Sequence, residues 1–372
     1  MTLLANHSKL KSSKVRESAN ILVVSPVYEP FFEKGGMARS VPNLVAALRG
    51  IGHKTTVVTP AYQKKPFTPL SFGIIRPVET FWDRLFSRIQ RANFIWLSLT
   101  ITALKLLPKH QVLILNCGFY PANLIIGLWA ICKRKRIIFI PRGSGNPERL
   151  RHRLIIKRCW VFLENIFLRH SIVIALDGTE NVEIYRAKQK TIIPNIFHID
   201  DGVVRLIKNK KDSSIVRISF LGRATEDKGL KKFICLAEVF PHFEFICMTP
   251  EATTLKGPSN VRFLVQPTRE EVAKYLSICQ FNFIWSTGEG LSMALLEGAR
   301  EGCLPVGRDI SVGSIFGKNA IRFKHFEDLL KFFSNNPLDF YDRYAEEVIL
   351  EASAKCSSTE VEKKLAVYLD GN

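Results

Sequence analysis

Short runs of consecutive apolar, often β-branched residues alternate along this chain with stretches whose apolar positions recur every three to four residues. The first pattern predicts buried strands and the second amphipathic helices. Residues 21–25 read as a strand, followed by a loop containing Gly35 and Gly36 and a helix over 37–48. Gly50 and Gly52 stop that helix, and 54–59 reads as a second strand. Strand, helix and strand with short connections make a βαβ unit of a parallel sheet. The alternation continues with strands at 112–115, 137–140 and 172–175, helices at 120–133 and 148–169, and an extended end at 192–195. It then restarts, with strands at 216–221, 243–247, 261–264, 281–285 and 304–306 and helices at 227–239, 269–278 and 291–301. The expected organisation is a tail (1–19), a first domain (20–198), a linker (199–213), a second domain (214–345) and a C-terminal helix (346–372) packed back on the first domain. Two doubly wound α/β domains in series place a cleft between the carboxyl ends of two parallel sheets. No tandem repeat is visible.

Composition narrows the class. The chain has 372 residues, 47% hydrophobic and 23% charged, so it can bury two full cores and is neither fibrous nor disordered. Its eight cysteines are scattered, with no CxxC pair and no His at ligand spacing. That excludes a zinc ribbon and a disulfide scaffold, and points to a reducing compartment. Residues 1–19 hold only a short apolar run before Lys and Arg, unlike a secretory leader. The most apolar stretch, 92–107, contains Asn93 and Lys105 and is too short for a spanning helix. A cytoplasmic protein is expected.

Charge changes the picture more. The net charge is +19, but residues 1–198 carry 30 Lys and Arg against 10 Asp and Glu, whereas residues 199–372 carry 23 against 24. The excess belongs to the first domain, which is expected to face a polyanion. Arg84, Arg88 and Arg91 would line one side of a helix, beside Phe81, Trp82, Leu85, Phe86 and Ile89 and just ahead of Phe94 and Trp96. A basic stripe with flanking aromatics describes a helix lying in a lipid headgroup layer, on the inner face of the cytoplasmic membrane. An ordinary amphipathic helix packed on its own domain has the same pattern, and both readings stand. Further basic clusters occur at 133–136 and 149–158, and no nucleic-acid motif accompanies them.

Candidate chemistry concentrates in 286–309, STGEGLSMALLEGAREGCLPVGRD, where a strand runs through a small glycine-rich loop into a helix. The N–H groups of Gly290, Leu291 and Ser292 are expected to face the cleft as an anion site. Glu289 and Glu297 are spaced so that both carboxylates can reach one crevice. Such a pair alone is more often a solvated one, but the surrounding Gly288, Gly290, Gly298, Gly302 and Pro305-Val306 make the string specific.

This stretch resembles the signature of the family 4 glycosyltransferases, two Rossmann-like domains in the GT-B fold, in which two Glu residues are separated by seven. Residues 21–48, ILVVSPVYEPFFEKGGMARSVPNLVAAL, resemble the family's opening strand, Gly-Gly loop and first helix. Residues 218–229, ISFLGRATEDKG, resemble its G-R…K-G stretch, and 191–200, TIIPNIFHID, its I-P-N segment before the linker. The resemblance implies a retaining, metal-independent transferase without a cofactor, moving a sugar from a nucleotide-sugar donor to a glycan or polyprenyl-diphosphate-linked acceptor in bacterial surface polysaccharide or lipopolysaccharide synthesis. It assigns Arg223 and Lys228 to the diphosphate, Glu297 to the ribose, Glu289 to the donor sugar, and Gly35-Gly36 to backbone approach across the cleft. Three departures are present: Pro141-Arg142-Gly143 replaces a frequent His-Gly, which makes Arg142 a candidate donor contact; Asn116-Cys117-Gly118 stands where a His is frequent; and Ile196 replaces the Gly after Pro194-Asn195. The competing readings are a degenerate sugar-nucleotide-binding protein and, from charge alone, a nucleic-acid-binding protein.

Overall fold

A computed structural model describes residues 18–31, 35–60, 73–77, 96–146, 150–151, 154–211, 213–250 and 256–369. The first domain contains β1 (Asn20–Val24), α1 (Met37–Gly50), β2 (Lys54–Val58), β3 (Ile74–Ile75), α2 (Leu97–Leu106), β4 (Val112–Asn116), α3 (Pro121–Cys132), β5 (Arg136–Ile140), α4 (Leu154–Leu168), β6 (Ser171–Ala175) and β7 (Gln189–Ile192). These strands form one parallel sheet in the order β3-β2-β1-β4-β5-β6-β7. β4 and β6 are buried along their whole length, as continuous apolar strands covered on both faces must be.

A connecting helix, α5 (Val203–Lys211), occupies the centre of the stretch between the two sheets. Its Lys210 is buried, and the ammonium donates to the carbonyls of Leu276 (3.0 Å), Cys279 (2.6 Å) and Glu301 (2.6 Å). The second domain follows with β8 (Arg217–Leu221), α6 (Leu230–Val239), β9 (Glu244–Thr249), β10 (Val261–Val265), α7 (Arg269–Leu276), β11 (Phe281–Ile284), α8 (Met293–Arg300), β12 (Leu304–Arg308), α9 (Asp309–Val312), β13 (Ile321–Phe323) and α10 (Phe326–Ser334). Its parallel sheet runs β10-β9-β8-β11-β12-β13. Lys210 therefore ties the connecting helix to the carboxyl ends of α7 and α8, where helix dipoles favour a cation. Two last helices, α11 (Pro337–Cys356) and α12 (Ser358–Leu369), return to the first domain, where α12 packs on α1 and Arg136 donates to the Leu369 carbonyl at 2.8 Å.

In each sheet the strand order reverses once, between β1 and β4 and between β8 and β11. At such a point the loops diverge and leave a crevice at the carboxyl ends of the strands. The two crevices face one another. One core, from α1 and the near face of the first sheet, continues into the second domain and α11–α12. Another lies between the far face of the first sheet and α2, α3 and α4, so these helices form the outer layer of the first domain. Among the described residues no helix is long and apolar enough to cross a membrane.

Candidate active site

The cleft holds two adjoining cavities that share Gly35, Gly36, Gly222, Arg223, Met293 and Ala294. One, of about 460 Å³, extends past Arg39 and Glu297 to an outer end lined by Met248, Thr249, Pro250, Gln266 and Pro267. The other, of about 400 Å³, runs past Lys228, Glu289, Gly290, Leu291 and Ser292 to an inner end at Cys117, Arg142 and Asn195. Both volumes suit a small organic ligand, and together they form an elongated slot with a polar middle.

The walls follow from local structure. Gly35 sits at φ +109° with nothing near the place a Cβ would occupy, so the backbone there stands bare to the cleft. A Cβ on Gly36 would come 3.1 Å from the Cγ of Met293, which shows how closely the first domain approaches the start of α8. That helix begins at Met293, two residues later than the glycine pattern predicts, because Ser292 keeps extended backbone as its N-cap. The Ser292 side chain makes no capping bond, so the first-turn N–H groups of α8 are left to the cavity, whereas Gly290, Leu291 and Ser292 form the loop ahead of it.

Four of the charged residues singled out in the sequence come together around this slot. Lys228 and Glu289 form an ion pair with both side chains largely buried. Arg223 stands at the rim, 3.7 Å from Asp227 and about half exposed. Glu297, on α8, is buried and pairs with Arg39 of α1 across the domains. Burial and the neighbouring Arg269 and Arg300 push the Arg39 guanidinium below its ordinary pKa. Sequence reasoning missed Arg39; the available signal was a cation in the first turn of the helix opened by Gly35-Gly36.

Arg142 lies at the inner end of the slot, half-buried. Its guanidinium donates to Asn116 Oδ1 (3.2 and 2.9 Å), Ser40 Oγ (2.9 Å) and Asn195 Oδ1 (2.7 Å). Burial pushes its pKa down to about 10, against the pull of Glu180. Asn195 in turn donates to the Leu291 carbonyl at 3.5 Å, so Arg142 orients a side chain that touches the second domain's loop. Cys117, Phe119 and Arg142 all have positive φ, a costly backbone state that collects at functional sites. Next to Arg142, a Cβ on Gly143 would meet the Gly290 nitrogen at 2.6 Å, and one on Gly288 would meet Asn146 at 2.9 Å. Glu180 accepts from Gly143 N–H and, at 3.0 Å, from Leu176 N–H, which counter the rise in its pKa that burial causes. On the same interface Asp177 accepts from Ser314 N–H, Ser314 Oγ and Ile315 N–H at 2.8–3.1 Å.

Arg84, Arg88, Arg91 and Trp82 lie outside the described residues, and Trp96 is half-buried just ahead of α2. Among the described residues no group of three His, Cys, Asp or Glu is placed to hold a metal ion. The arrangement can bind an elongated ligand with an anionic middle, a hydroxyl-rich part at Glu297 and a second polar group at the inner end.

Comparison with known proteins bears on the fold. Residues 20–114 match the family model of the starch synthase catalytic domain, which is less than half of the chain. No curated protein matches the chain in sequence. Among solved structures, Anabaena HepE in complex with UDP-glucose is 14% identical, with a TM-score of 0.70 over 94% of this chain and 99% of that one. Sucrose-phosphate synthase from Thermosynechococcus elongatus is 12% identical, with a TM-score of 0.69 over 94% and 98%. An α,α-trehalose-phosphate synthase from Burkholderia xenovorans in complex with glucose-6-phosphate is 11% identical, with a TM-score of 0.66 over 95% and 100%. At these identities the likeness shows the fold, which is GT-B, and the likeness to GT-B glycosyltransferases expected from the motifs is borne out.

Proposed function

We propose that this protein is a retaining glycosyltransferase that moves a sugar from a nucleoside-diphosphate donor to a glycan or lipid-linked acceptor, with no metal or cofactor, in the assembly of a bacterial surface polysaccharide at the inner face of the cytoplasmic membrane. The observation that carries the reading is the meeting of Gly35-Gly36, Arg223, the Lys228–Glu289 pair and Glu297 around one elongated slot at the switch points of two parallel sheets.

In this reading the base lies at the outer end, between Met248, Pro250, Gln266 and Pro267. Glu297, held by Arg39, accepts hydrogen bonds from the ribose hydroxyls. The diphosphate crosses the shared middle, against the bare backbone of Gly35-Gly36 and the first turn of α8, with Arg223 and Lys228 as its cations. Negative charge grows on the diphosphate as the glycosidic bond breaks, and cations already in place stabilise that charge without reorganising. Glu289, fixed by Lys228, stands beside the sugar, and the departing phosphate oxygen on the same face takes the proton of the acceptor hydroxyl. The surplus of basic residues in the first domain supports a membrane-borne acceptor, and HepE and the Burkholderia synthase make UDP-glucose and a sugar phosphate natural first probes.

Thermal unfolding with UDP, GDP, ADP and UDP-glucose tests this. A nucleotide at about 100 times its Kd should stabilise the protein by about 2.7 kcal/mol. Lys228→Ala should weaken that nucleotide by about 100-fold, through loss of a charge-assisted contact and the stranding of Glu289. Glu297→Gln should weaken nucleosides bearing both ribose hydroxyls more than their 2′-deoxy forms. Absence of any nucleotide effect, or unaltered binding in both variants, would overturn the assignment.

A further inference from the structure

The outer helical layer of the first domain is apolar where it should face water. Nine of the sixteen exposed large apolar side chains among the described residues lie on α2, α3 and α4, which pack side by side. On α4, Ile155 (79% exposed), Phe162 (70%) and Ile166 recur along one stripe, with Ile156 (63%) and Leu163 beside them. On α3, Ile125, Leu128 and Trp129 continue the surface, and Phe167 of α4 lies against Gly127 so closely that a Cβ there would come within 2.8 Å of its ring. An apolar patch of this extent marks an interaction site.

Its charge is one-sided. Residues 97–170 contain 13 Lys and Arg and two acids, Glu148 and Glu164, of which Glu164 is buried. Arg151, Arg158 and Arg169 are exposed on or beside α4, and Lys133 lies 4.7 Å over the Trp129 ring at the end of α3. We infer that this face docks on an anionic lipid bilayer, with Ile155, Ile156 and Phe162 entering the acyl boundary and the cations meeting the headgroups. A second copy of the chain is disfavoured as occupant, because an isologous dimer would set the same uncompensated cations against each other. Placement agrees: α4 begins at the cleft edge of the sheet, where Lys157 lies 5.8 Å over the ring of Phe119, just beyond β4. Docking there sets the cleft edge of the first domain beside the membrane surface. The inference deepens the proposed function by giving its membrane a docking surface, and it rests on that reading only for what the acceptor is.

The test is cosedimentation of the full chain with vesicles of phosphatidylcholine alone and with about one third phosphatidylglycerol. Binding to the anionic vesicles should be at least about tenfold tighter and fall with salt. The pair Ile155→Glu and Phe162→Glu should lose about tenfold or more of it, while Lys133→Glu with Arg134→Glu should lose the preference for anionic lipid. Equal binding to both vesicles, unaltered binding by the Glu pair, or a concentration-dependent dimer that the pair abolishes without any vesicle binding would overturn the inference. Circular dichroism and nucleotide-induced thermal shifts of the variants separate the two proposals. Both sets of side chains are exposed, so folding and nucleotide response should match the parent. Failure to bind vesicles with nucleotide binding intact overturns this surface alone, whereas vesicle binding without any nucleotide response overturns the transferase reading alone.

Discussion

Replacing Glu164 with Gln should remove a pH-dependent part of the first domain's stability. Glu164 is buried on α4, where one carboxylate oxygen accepts from the Phe119 N–H at 2.9 Å and from Trp160 Nε1 at 3.0 Å. The other oxygen, Oε2, has no hydrogen-bond partner among the described residues. Burial pushes its pKa from the ordinary 4.5 up to about 7, against the two hydrogen bonds, which favour the anion. The folded state thus holds the proton more tightly than the unfolded chain does. The stability this contributes is fully present below pH 4.5 and is lost as pH rises through about 7. With about 1.4 kcal/mol for each tenfold in proton affinity, the whole loss is about 3 kcal/mol, and about 2.5 kcal/mol of it falls between pH 5 and pH 8. Gln keeps the carbonyl that accepts from Phe119 and Trp160 and carries no charge at any of these pH values. Urea unfolding at several pH values, followed by tryptophan emission, reads this well, because four of the five Trp residues lie in the first domain. The difference in unfolding free energy between parent and E164Q should change by about 2.5 kcal/mol in favour of the variant from pH 5 to pH 8. A difference constant to within about 0.5 kcal/mol over that range would refute the reasoning.

Two further substitutions probe the joints between the domains. Lys210→Met should destabilise the protein by about 3 kcal/mol or more in urea unfolding, since it keeps most of the side-chain volume but strands three buried carbonyls at the ends of α7 and α8. A loss below about 1 kcal/mol would mean that the ammonium does not hold those ends. Gly143→Ala should reduce nucleotide affinity without unfolding the protein, because a Cβ at φ +77° and 2.6 Å from the Gly290 nitrogen must push the two domain loops apart. Calorimetric titration with the best nucleotide checks it, and unaltered affinity would show that the 143–290 contact does not set the slot.

The parallel alternation was legible because its causes are local. Apolar runs such as 21–24 and 112–115 have to be buried on both faces, and Gly52 ends α1 with a φ of +95° that other residues resist. Element ends were less legible. The helix expected from 291 starts at Met293, because whether Ser292 caps or enters the helix depends on the loop packed against it. The stretch at 199–213 reads as a polar, basic linker from its composition, yet Val203, Ile207 and Lys210 of α5 are buried. A lysine three carbonyls deep looks like any other lysine in sequence, since its partners lie 66 to 91 residues away.

The candidate site divides along the same line. Arg223, Lys228 and Glu289 were legible because each lies in a loop just past a strand end, where the topology sends it to the cleft, and Glu297 because its spacing from Glu289 puts it one turn into the helix that follows. Arg39 was not, for its place opposite Glu297 exists only once the two domains have met. Arg142 was legible as a residue but not in its surroundings. Four hydrogen bonds to the neutral groups of Asn116, Ser40 and Asn195 hold its guanidinium at the inner end of the slot. An arginine so placed keeps its charge even with its pKa lowered to about 10, and a cation desolvated without a hydrogen-bonded carboxylate raises the local potential over the inner end. That favours an anionic or strongly polar group there. The first domain therefore meets its surroundings with positive charge twice, spread over the α3–α4 face and focused at Arg142. The two differ in kind, since the first is exposed and screened by salt, whereas the second is half-buried, held by four hydrogen bonds inside the slot, and screened less.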